Sequence, residues 1–113
     1  MAMNNYLLII TLNVNGLNAP MKRHRTAEWI RKDNPFICCL QETHLRTKDL
    51  HRLKVNGWKQ IFQANGQEKK AWVAILILDK IDFKRRAIET DPYGHFIILQ
   101  GRIHKEDINI VNI

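Results

Sequence analysis

Serine is absent from the 113-residue sequence, which excludes every mechanism that uses a serine nucleophile. Cysteine is limited to the adjacent residues Cys38 and Cys39, inside the apolar run Phe36–Leu40. Adjacent cysteines can hardly bridge to each other, and no second cysteine pair or paired histidines supplies the remaining ligands of a zinc site. We therefore interpret both as small core residues in a reducing compartment.

Long hydrophobic runs and a targeting signal are also missing. No apolar run approaches the roughly 18 residues that a membrane-spanning helix needs. The opening residues 1–5 have no basic segment, and the apolar run Tyr6–Thr11 is too short for the core of a signal peptide. We expect a nuclear or cytoplasmic protein that is not secreted and has no membrane partner.

Acidic residues are scarce relative to basic ones. Eleven Asp and Glu stand against eighteen Lys and Arg, with five histidines besides, and the formal net charge is +7. A charge of this size on a small domain attracts polyanions such as nucleic acid, but it also serves solubility, and charge alone does not distinguish the two. The hydrophobic content of 45% argues against disorder and predicts one folded domain over residues 1–113.

The first forty residues predict a strand, a helix and a second strand. Tyr6–Asn13 is a near-continuous apolar run, typical of a strand buried on both faces. A helix is predicted over Met21–Lys32, and Phe36–Gln41 is the second apolar strand. The helix is expected to have a narrow inward face, formed by Thr26, Trp29 and Ile30. Strand, helix and strand at this spacing form a βαβ unit, whose two strands are parallel.

The remainder predicts a short helix over Thr47–Lys54 and then a β-meander. Five strands are predicted, over Trp58–Gln63, Trp72–Leu78, Phe83–Ile88, His95–Gln100 and Ile108–Ile113. Asn65-Gly66 is a hairpin-turn signal, and Asp91–Gly94 is another turn. The sequence ends inside the last, alternating strand, where natural domains rarely stop, so we expect a domain truncated at its C-terminus.

Two polar residues stand at the carboxyl ends of the parallel strands, where ligands bind in such sheets. Asn13 ends the first strand and Glu42 follows the second, so both side chains are expected at one rim. A carboxylate and an amide oxygen suit Mg²⁺. The candidate substrate-binding residues are Asn15, Thr43 and His44. Together with the nearby Gln41 they are placed to hydrogen-bond a phosphate or orient the ligands. Spacing alone favours the simpler interpretation of a turn asparagine and a solvated strand end.

Two motifs add to this interpretation. Thr11–Leu17 (Thr-Leu-Asn-Val-Asn-Gly-Leu) and Leu40–Leu45 (Leu-Gln-Glu-Thr-His-Leu) resemble the opening of the exonuclease–endonuclease–phosphatase superfamily, which includes the apurinic/apyrimidinic endonucleases and exodeoxyribonuclease III. From Leu7 to Ile113 the sequence is similar to the endonuclease domain of long interspersed element (LINE) retrotransposons of mammals. The segments that carry this similarity are Lys22–Arg25, Trp29-Ile30, Cys38-Cys39, His51–Lys54, Gly57-Trp58 and Gln63–Gly66.

The resemblance implies a DNase I-like α/β-sandwich of four layers, two β-sheets flanked by helices, of which this chain supplies the first half. It also implies a phosphodiesterase that cuts DNA and depends on Mg²⁺ or Mn²⁺. Asn13 matches an active-site asparagine that helps position the metal, and Glu42 matches the glutamate that binds it. In LINE elements the nick starts target-primed reverse transcription, so the implied partner is the reverse transcriptase of the same long protein.

The sequence also departs from that family. Its members carry, further along, a tyrosine-bearing loop, a Gly-Asp-X-Asn segment and a late Asp-His pair, and none of these occurs here. We therefore expect one sheet of the sandwich with little of its partner, poor folding or self-association, and little or no activity from this chain alone. Trp72 stands where the retrotransposon enzymes usually carry glycine, and its ring is expected to block a close backbone approach.

Two other interpretations stay open. One is a nucleic-acid-binding remnant without chemistry, whose net charge contacts phosphates. The other is a decayed element copy with no selected function. An enzyme should depend on Glu42, whereas electrostatic binding should not. Such binding should also weaken steeply with salt and ignore the DNA sequence.

Overall fold

The computed structural model describes residues 7–64 and 70–113. Within them an α-helix, α1, spans Pro20–Asp33, and a short 3₁₀ helix spans Thr47–Arg52. The strands in chain order are β1 Ile9–Asn13, β2 Ile37–Arg46, β3 Gln60–Gln63, β4 Lys70–Ile77, β5 Phe83–Thr90, β6 Ile97–Ile103 and β7 Glu106–Asn112. In these two ranges, no helix combines the length and the apolar character needed to cross a membrane.

The first sheet contains the predicted βαβ unit, whose parallel pairing is confirmed. The prediction that its first strand is buried on both faces is wrong, because β1 is an edge strand whose residues are exposed or half-buried. β1 and β2 pair in parallel, with Asn13 of β1 opposite Gln41 of β2, and α1 is the crossover between them. β4 pairs antiparallel with β2 on one side and with β3 on the other, so the strand order is β1-β2-β4-β3. Residues Ala71–Ile77 of β4 are almost all buried, which explains why this strand is a continuous hydrophobic run and not an alternating one.

Helix α1 packs through a narrow face that consists of Thr26, Ala27 and Ile30, all buried. The predicted inward position of Trp29 is wrong, because 60% of this residue is exposed. At about 100° per residue, the three buried residues span about 100° of the helix circumference, and Trp29 lies about 60° outside that arc. A tryptophan three residues after a buried threonine is therefore on the solvent side of this narrow face.

β5, β6 and β7 form a second, antiparallel sheet in that order. The expectation of one sheet with little of its partner is therefore wrong, since these strands leave the first sheet after β4. Buried and exposed residues alternate along Ile97–Ile103, which places one face of β6 against the first sheet. A strand with one buried face shows the same alternation of buried and exposed residues in either sheet. The sequence pattern therefore does not reveal that β5, β6 and β7 form a separate sheet.

The two sheets share one hydrophobic core and one polar bridge. The core includes residues of both sheets, among them Leu40, Ile75, Leu76, Ile97, Leu99 and Ile110. Asn112 of β7 is 2% exposed, and its side-chain NH₂ donates to Leu40 O at 3.0 Å and to Ala74 O at 2.8 Å. Its Oδ1 accepts a hydrogen bond from Gln41 Nε2 at 2.7 Å. This buried amide is thus hydrogen-bonded through both of its polar atoms.

Several smaller predictions can be compared with the structure. Cys38 and Cys39 are buried free thiols, as predicted. Trp58 is buried, and its indole N–H donates to Pro35 O at 2.9 Å. The predicted turn at Asp91–Gly94 connects β5 to β6, with Gly94 at φ 78°. The turn predicted at Asn65-Gly66 lies outside the described residues.

Candidate active site

After β1 the chain forms a loop that runs along the end of β2. Three backbone hydrogen bonds join loop and strand: Val14 N to Gln41 O (3.0 Å), Gly16 N to Glu42 O (2.7 Å) and Leu17 N to Thr43 O (2.8 Å). Asn15 and Gly16 have left-handed backbone conformations, with φ 54° and 93°, which asparagine and glycine adopt most easily. Asn13 Oδ1 accepts from Asn15 N at 3.2 Å, which tightens the turn. The loop therefore fixes Asn13 beside the segment that carries Glu42.

β2 contains a β-bulge at the predicted site. Its pairing with β4 is interrupted between Gln41 and Leu45, where three residues of β2 face Trp72 alone. Two of the three, Glu42 and His44, have left-handed backbone conformations, with φ 53° and 49°. Such a conformation costs a non-glycine residue about 1–2 kcal/mol, so the surrounding pairing must enforce it. Glu42 was expected after the end of the strand, but β2 continues four residues beyond it.

The bulge separates the predicted site residues into two groups. Thr43 is only 1% exposed, and its hydroxyl donates to Ala71 O at 2.7 Å, so it lies inside the protein and braces β2 against β4. Glu42 and His44, on either side of it, are half-buried. These two and the exposed Asn13 and Asn15 lie together at one rim of the first sheet, whereas Thr43 lies below that rim.

Two cations at the start of α1 hold the loop. Lys22 Nζ donates to Asn15 O at 2.8 Å, and Arg23 Nη1 donates to Leu17 O at 3.0 Å and to Asn18 O at 2.7 Å. The first turn of a helix ordinarily favours acidic residues, but α1 has none there. The loop carbonyls explain why basic residues occupy it. Sequence analysis missed this role; the available signal was a basic pair at a helix start just after a glycine turn.

A row of four rings extends from the bulge to the turn between β5 and β6. In order it consists of His44, Trp72, His95 and Tyr93, with successive ring centroids 4.3, 5.3 and 6.1 Å apart. We call it the ring row. His44 and Trp72 are half-buried, and Tyr93 is 63% exposed. Trp72 N donates to Gly94 O at 3.2 Å, which ties the turn between β5 and β6 to β4 beside the ring row.

Asp91 fixes the turn that carries the outer half of the ring row. Its Oδ1 accepts hydrogen bonds from the backbone N–H groups of His95 and Phe96. Partial burial opposes the charge of the carboxylate. Backbone hydrogen bonds from Phe96, His95 and Tyr93, together with the nearby His95 ring, outweigh that effect and lower the pKa of Asp91 below its usual value. Asp91 is therefore ionised at neutral pH and acts as the cap of this turn.

The rim offers oxygen donors that fit a divalent cation. Glu42 supplies a carboxylate, and Asn13 Oδ1, which accepts one hydrogen bond from Asn15 N, keeps a second lone pair for a ligand. Mg²⁺ is usually bound through one or two carboxylates and keeps several waters, so a donor set this small suits it. Residues 7–64 and 70–113 contain no group of three or more His, Cys, Asp or Glu that could enclose a metal. These donors therefore suit a hydrated cation at the surface.

The cysteines offer no alternative chemistry. Burial raises the pKa of Cys38 to about 12, with smaller contributions from Cys39 and Asp33. Burial also raises the pKa of Cys39 to about 11. Both thiols are protonated at neutral pH and belong to the hydrophobic core, so neither is available as a nucleophile.

A separate open cleft of about 660 Å³ lies away from the rim. Its walls come from the 3₁₀ helix and the segment that leads into β3, and its lining includes Lys48, His51, Lys54, Trp58 and Lys59. None of the predicted site residues lines it. We place the candidate active site at the rim and not in this cleft, because the oxygen donors that suit a metal are at the rim.

The chain belongs to the Endonuclease/Exonuclease/phosphatase family, whose sequence model matches residues 10–111. Its fold is similar to that of D. rerio TDP2 complexed with single strand DNA product, with a TM-score of 0.73 and 18% identity over 96% of this chain. The AP endonuclease LMAP from Leishmania major gives a TM-score of 0.65 and 17% identity over 93% of this chain. An AP endonuclease from Archaeoglobus fulgidus gives a TM-score of 0.53 and 23% identity over 92% of this chain.

The chain is shorter than the structures it resembles. It covers 45%, 38% and 40% of the three chains, respectively, and so spans less than half of their length. The family match and the two-sheet architecture confirm the resemblance at the level of the superfamily and its DNase I-like α/β fold. The family is one of nucleases and phosphatases, which are hydrolases of phosphate esters.

Proposed function

We propose that this chain carries the metal-binding rim of a divalent-metal-dependent phosphodiesterase that cuts DNA. The observation that carries the proposal is the bulge of β2, which holds Glu42 in a left-handed conformation beside the loop of Asn13. Backbone strain of this kind persists only where the surrounding structure enforces it, and it concentrates at functional sites. Membership of a family of nucleases and phosphatases supplies the class of reaction.

In this proposal Glu42 is the main carboxylate ligand that the chain contributes to Mg²⁺ or Mn²⁺, and Asn13 lies beside it as an amide oxygen donor. When bound, the cation neutralises charge on the scissile phosphate and on the leaving oxygen. The backbone N–H groups of Gly16 and Leu17 hold the carbonyls of the bulge, which prevents Glu42 from relaxing into regular strand pairing. The loop and the bulge thus act as one preorganised unit.

Two further residues of the rim would contact the substrate. Asn15 is exposed, and its backbone is held by Lys22, so its side-chain amide is free to donate to a phosphate oxygen. His44 is half-buried, two residues from Glu42, and its backbone carbonyl is held by Asn18 Nδ2 at 2.9 Å. Thr43 would support the site from below through its bond to β4, without touching the substrate.

The substrate and biological setting follow from the resemblance to LINE endonucleases over Leu7–Ile113. We propose that the substrate is a DNA target site, that the product is a nick, and that a reverse transcriptase of the same long protein uses it. Among proteins of similar fold, the D. rerio TDP2 was determined with a single strand DNA product, which supports DNA as the substrate class. The proposed setting places the protein in the nucleus, the cytoplasm or both.

Binding without chemistry is the second candidate function, and β5 favours it. All residues from Lys84 to Thr90 are exposed, and the first three are basic. Arg86 Nη1 lies 3.5 Å from Asp107, whereas Lys84 and Arg85 form no ion pair with another described residue. Exposed cations on an edge strand suit phosphates, and binding of this kind weakens as salt rises and does not need Glu42.

Mn²⁺ binding to the full chain tests the metal site directly. Free Mn²⁺ gives an electron paramagnetic resonance signal that is lost on binding, so a titration yields the Kd. We expect Glu42→Gln to weaken binding by on the order of ten-fold or more, because it replaces a charged ligand with a neutral amide of the same shape. The matched control is Glu28→Gln, since Glu28 is an exposed carboxylate on α1, 3.1 Å from His24. Equal Mn²⁺ affinity in Glu42→Gln and the unmodified chain would refute the metal site.

A further inference from the structure

The proposed metal site does not account for the ring row. Packing explains Trp58, which is 3% exposed, but it does not explain Tyr93, which is 63% exposed, or the half-buried Trp72. The ring row begins at His44, two residues from Glu42, and leads away from the rim toward the second sheet. Aromatic surface left in contact with water beside a candidate site is typical of a binding surface.

Hydrogen bonds hold the ring row in place along its length. At the inner end, Asn18 Nδ2 donates to His44 O at 2.9 Å. At the outer end, Asp91 accepts from the N–H groups of the turn, and Trp72 N donates to Gly94 O at 3.2 Å. The backbone that carries the rings is therefore ordered before a ligand binds, which lowers the entropic cost of binding.

Basic residues accompany the rings. Lys70 precedes Trp72 by two residues on β4, so the two side chains lie on the same face of that strand. Arg46 of β2 is opposite Lys70 in the sheet. Both residues are exposed, and neither forms an ion pair within residues 7–64 and 70–113. Proteins that hold single-stranded nucleic acid combine these two features, aromatic rings for the bases and cations for the backbone.

We propose that the ring row is a stacking surface for unpaired bases of a DNA strand, with Lys70 and Arg46 along the phosphates. The inference rests on the proposed function in one respect, which is that the strand it holds is the one whose phosphate lies at Glu42. In a duplex the base faces are covered by their neighbours, so this surface favours a single-stranded or locally unpaired segment beside the cleaved bond.

Binding measured without metal isolates the stacking surface from cleavage. The probe is a fluorescein-labelled single-stranded DNA of about 12 nucleotides, followed by anisotropy with the full chain in EDTA. A second probe has the same phosphates but abasic residues in its central half. We expect Trp72→Ala to weaken binding of the base-bearing strand about ten-fold and to leave the abasic strand almost unchanged, because only bases stack. Trp72→Phe, which keeps a ring, should retain most of the affinity.

Two further variants keep the test independent of folding. Tyr93→Ala removes an exposed ring at the other end of the row and should weaken the base-bearing strand several-fold. Trp29→Ala is the matched control, because Trp29 is also an exposed tryptophan, 60% accessible, but lies on α1 outside the ring row. It should bind both strands like the unmodified chain. Thermal unfolding by circular dichroism shows whether each variant is folded.

The outcomes separate this inference from the proposed function. Three results would overturn the stacking surface. The first is an equal loss of affinity for the base-bearing and the abasic strand in the ring variants, and the second is an affinity in Trp72→Ala and Tyr93→Ala that equals that of the unmodified chain. The third result is a loss of affinity in Trp29→Ala as large as that in Trp72→Ala. Trp72-dependent binding of base-bearing DNA in a chain that does not bind Mn²⁺ would support the surface and refute the phosphodiesterase. Glu42-dependent Mn²⁺ binding without any effect of the rings would do the reverse.

Discussion

Gln41 and Asn112 join the two sheets through a 2.7 Å hydrogen bond from Gln41 Nε2 to Asn112 Oδ1, although they are 71 residues apart in the sequence. Gln41 is also the last regularly paired residue before the bulge, and Glu42 follows it directly. The contact that docks the second sheet therefore ends one residue from the candidate metal ligand. Docking of the sheets and the shape of the rim are coupled through this bond.

Asn112→Ala should destabilise the chain strongly. The substitution leaves the Gln41 amide and the carbonyls of Leu40 and Ala74 without their partner in the core, and we expect a loss of about 2–4 kcal/mol in the free energy of unfolding. Urea unfolding followed by circular dichroism measures it. Asn109→Ala, an exposed position on the same strand, is the control and should change stability by less than about 0.5 kcal/mol. Similar losses in both variants would contradict the bridging role.

Substitutions in the turn between β6 and β7 should stabilise the chain. Ile103 pairs with Glu106, so the hairpin has two loop residues, His104 and Lys105, both left-handed with φ 50° and 70°. Asn-Gly is the preferred sequence for this geometry. We expect the double substitution His104→Asn and Lys105→Gly to raise the free energy of unfolding by about 1 kcal/mol, measured by urea unfolding.

Lys80→Gly controls for the general effect of a new glycine. Lys80 lies in the turn before β5 and is not among the left-handed residues. Glycine at this position relieves no backbone strain in the folded chain and increases the conformational entropy of the unfolded chain, so it should lower the free energy of unfolding. If the turn variant were destabilised as much as Lys80→Gly, the left-handed assignment of residues 104 and 105 would be wrong.

The buried thiols predict a loss of stability in alkaline solution. Folding raises the pKa values of Cys38 and Cys39 to about 12 and 11, from an ordinary value of about 8.5 in the unfolded chain. The unfolded state therefore loses these protons first. Stability is unaffected by the thiols below about pH 8.5 and falls as the pH rises toward the folded values, by at most about 1.4 kcal/mol per pH unit for each thiol.

Urea unfolding between neutral pH and about pH 10.5 measures this effect. The Cys38→Ala, Cys39→Ala double variant is less stable throughout because it loses packing, but its stability should depend less on pH. A double variant with the same pH dependence as the unmodified chain would assign the effect to other groups. In the folded chain neither thiol should react with Ellman's reagent at neutral pH.

In a graft with the C-terminal part of a LINE endonuclease, catalysis should depend on Glu42. We expect the chain, joined to the C-terminal part of a LINE endonuclease, to nick supercoiled plasmid in Mg²⁺ if the proposed function is correct. Glu42→Ala in this graft should lower the nicking rate by about 100-fold or more, while duplex binding in EDTA survives because the basic residues are unchanged. Glu28→Ala is the control on α1. A Glu42→Ala graft that nicks at the rate of its parent graft would rule out the metal assignment.

The βαβ unit could be predicted because local signals and packing agree there. The apolar runs of β1 and β2 indicate strands, Pro20 suits a helix start, and Pro35 prevents the helix from continuing. The burial of β1 does not follow from its apolar run, because β1 is an edge strand of the first sheet. The exposed position of Trp29 does not follow from its hydrophobicity, because its angle on the helix places it outside the arc of Thr26, Ala27 and Ile30. The tight turn at His104-Lys105 was missed because neither residue is a turn former, so no local signal marks it.

The site could be predicted in its residues but not in its geometry. The positions of Asn13 and Glu42 follow from the rule that parallel strands place their carboxyl ends together. The bulge does not follow from any local pattern, because it depends on three residues of β2 facing Trp72 alone and on the N–H groups of Gly16 and Leu17. These contacts join segments far apart in the chain. The roles of Thr43, Lys22 and Arg23 depend on the same non-local contacts.

The three tryptophans give the chain three separate optical reporters. Trp58 is sealed in the core with its N–H bonded to Pro35 O, so its emission should lie at short wavelength and shift to the red only when the core opens. Trp29 is exposed to water already in the folded chain, so a variant that keeps only Trp29 gives the reference emission of an exposed tryptophan. Trp72 lies between the imidazole rings of His44 and His95, so a ligand that binds to the ring row should change its fluorescence intensity. Single-tryptophan variants that keep Trp58 or Trp72 would therefore record unfolding and ligand occupancy separately, each in its own sample.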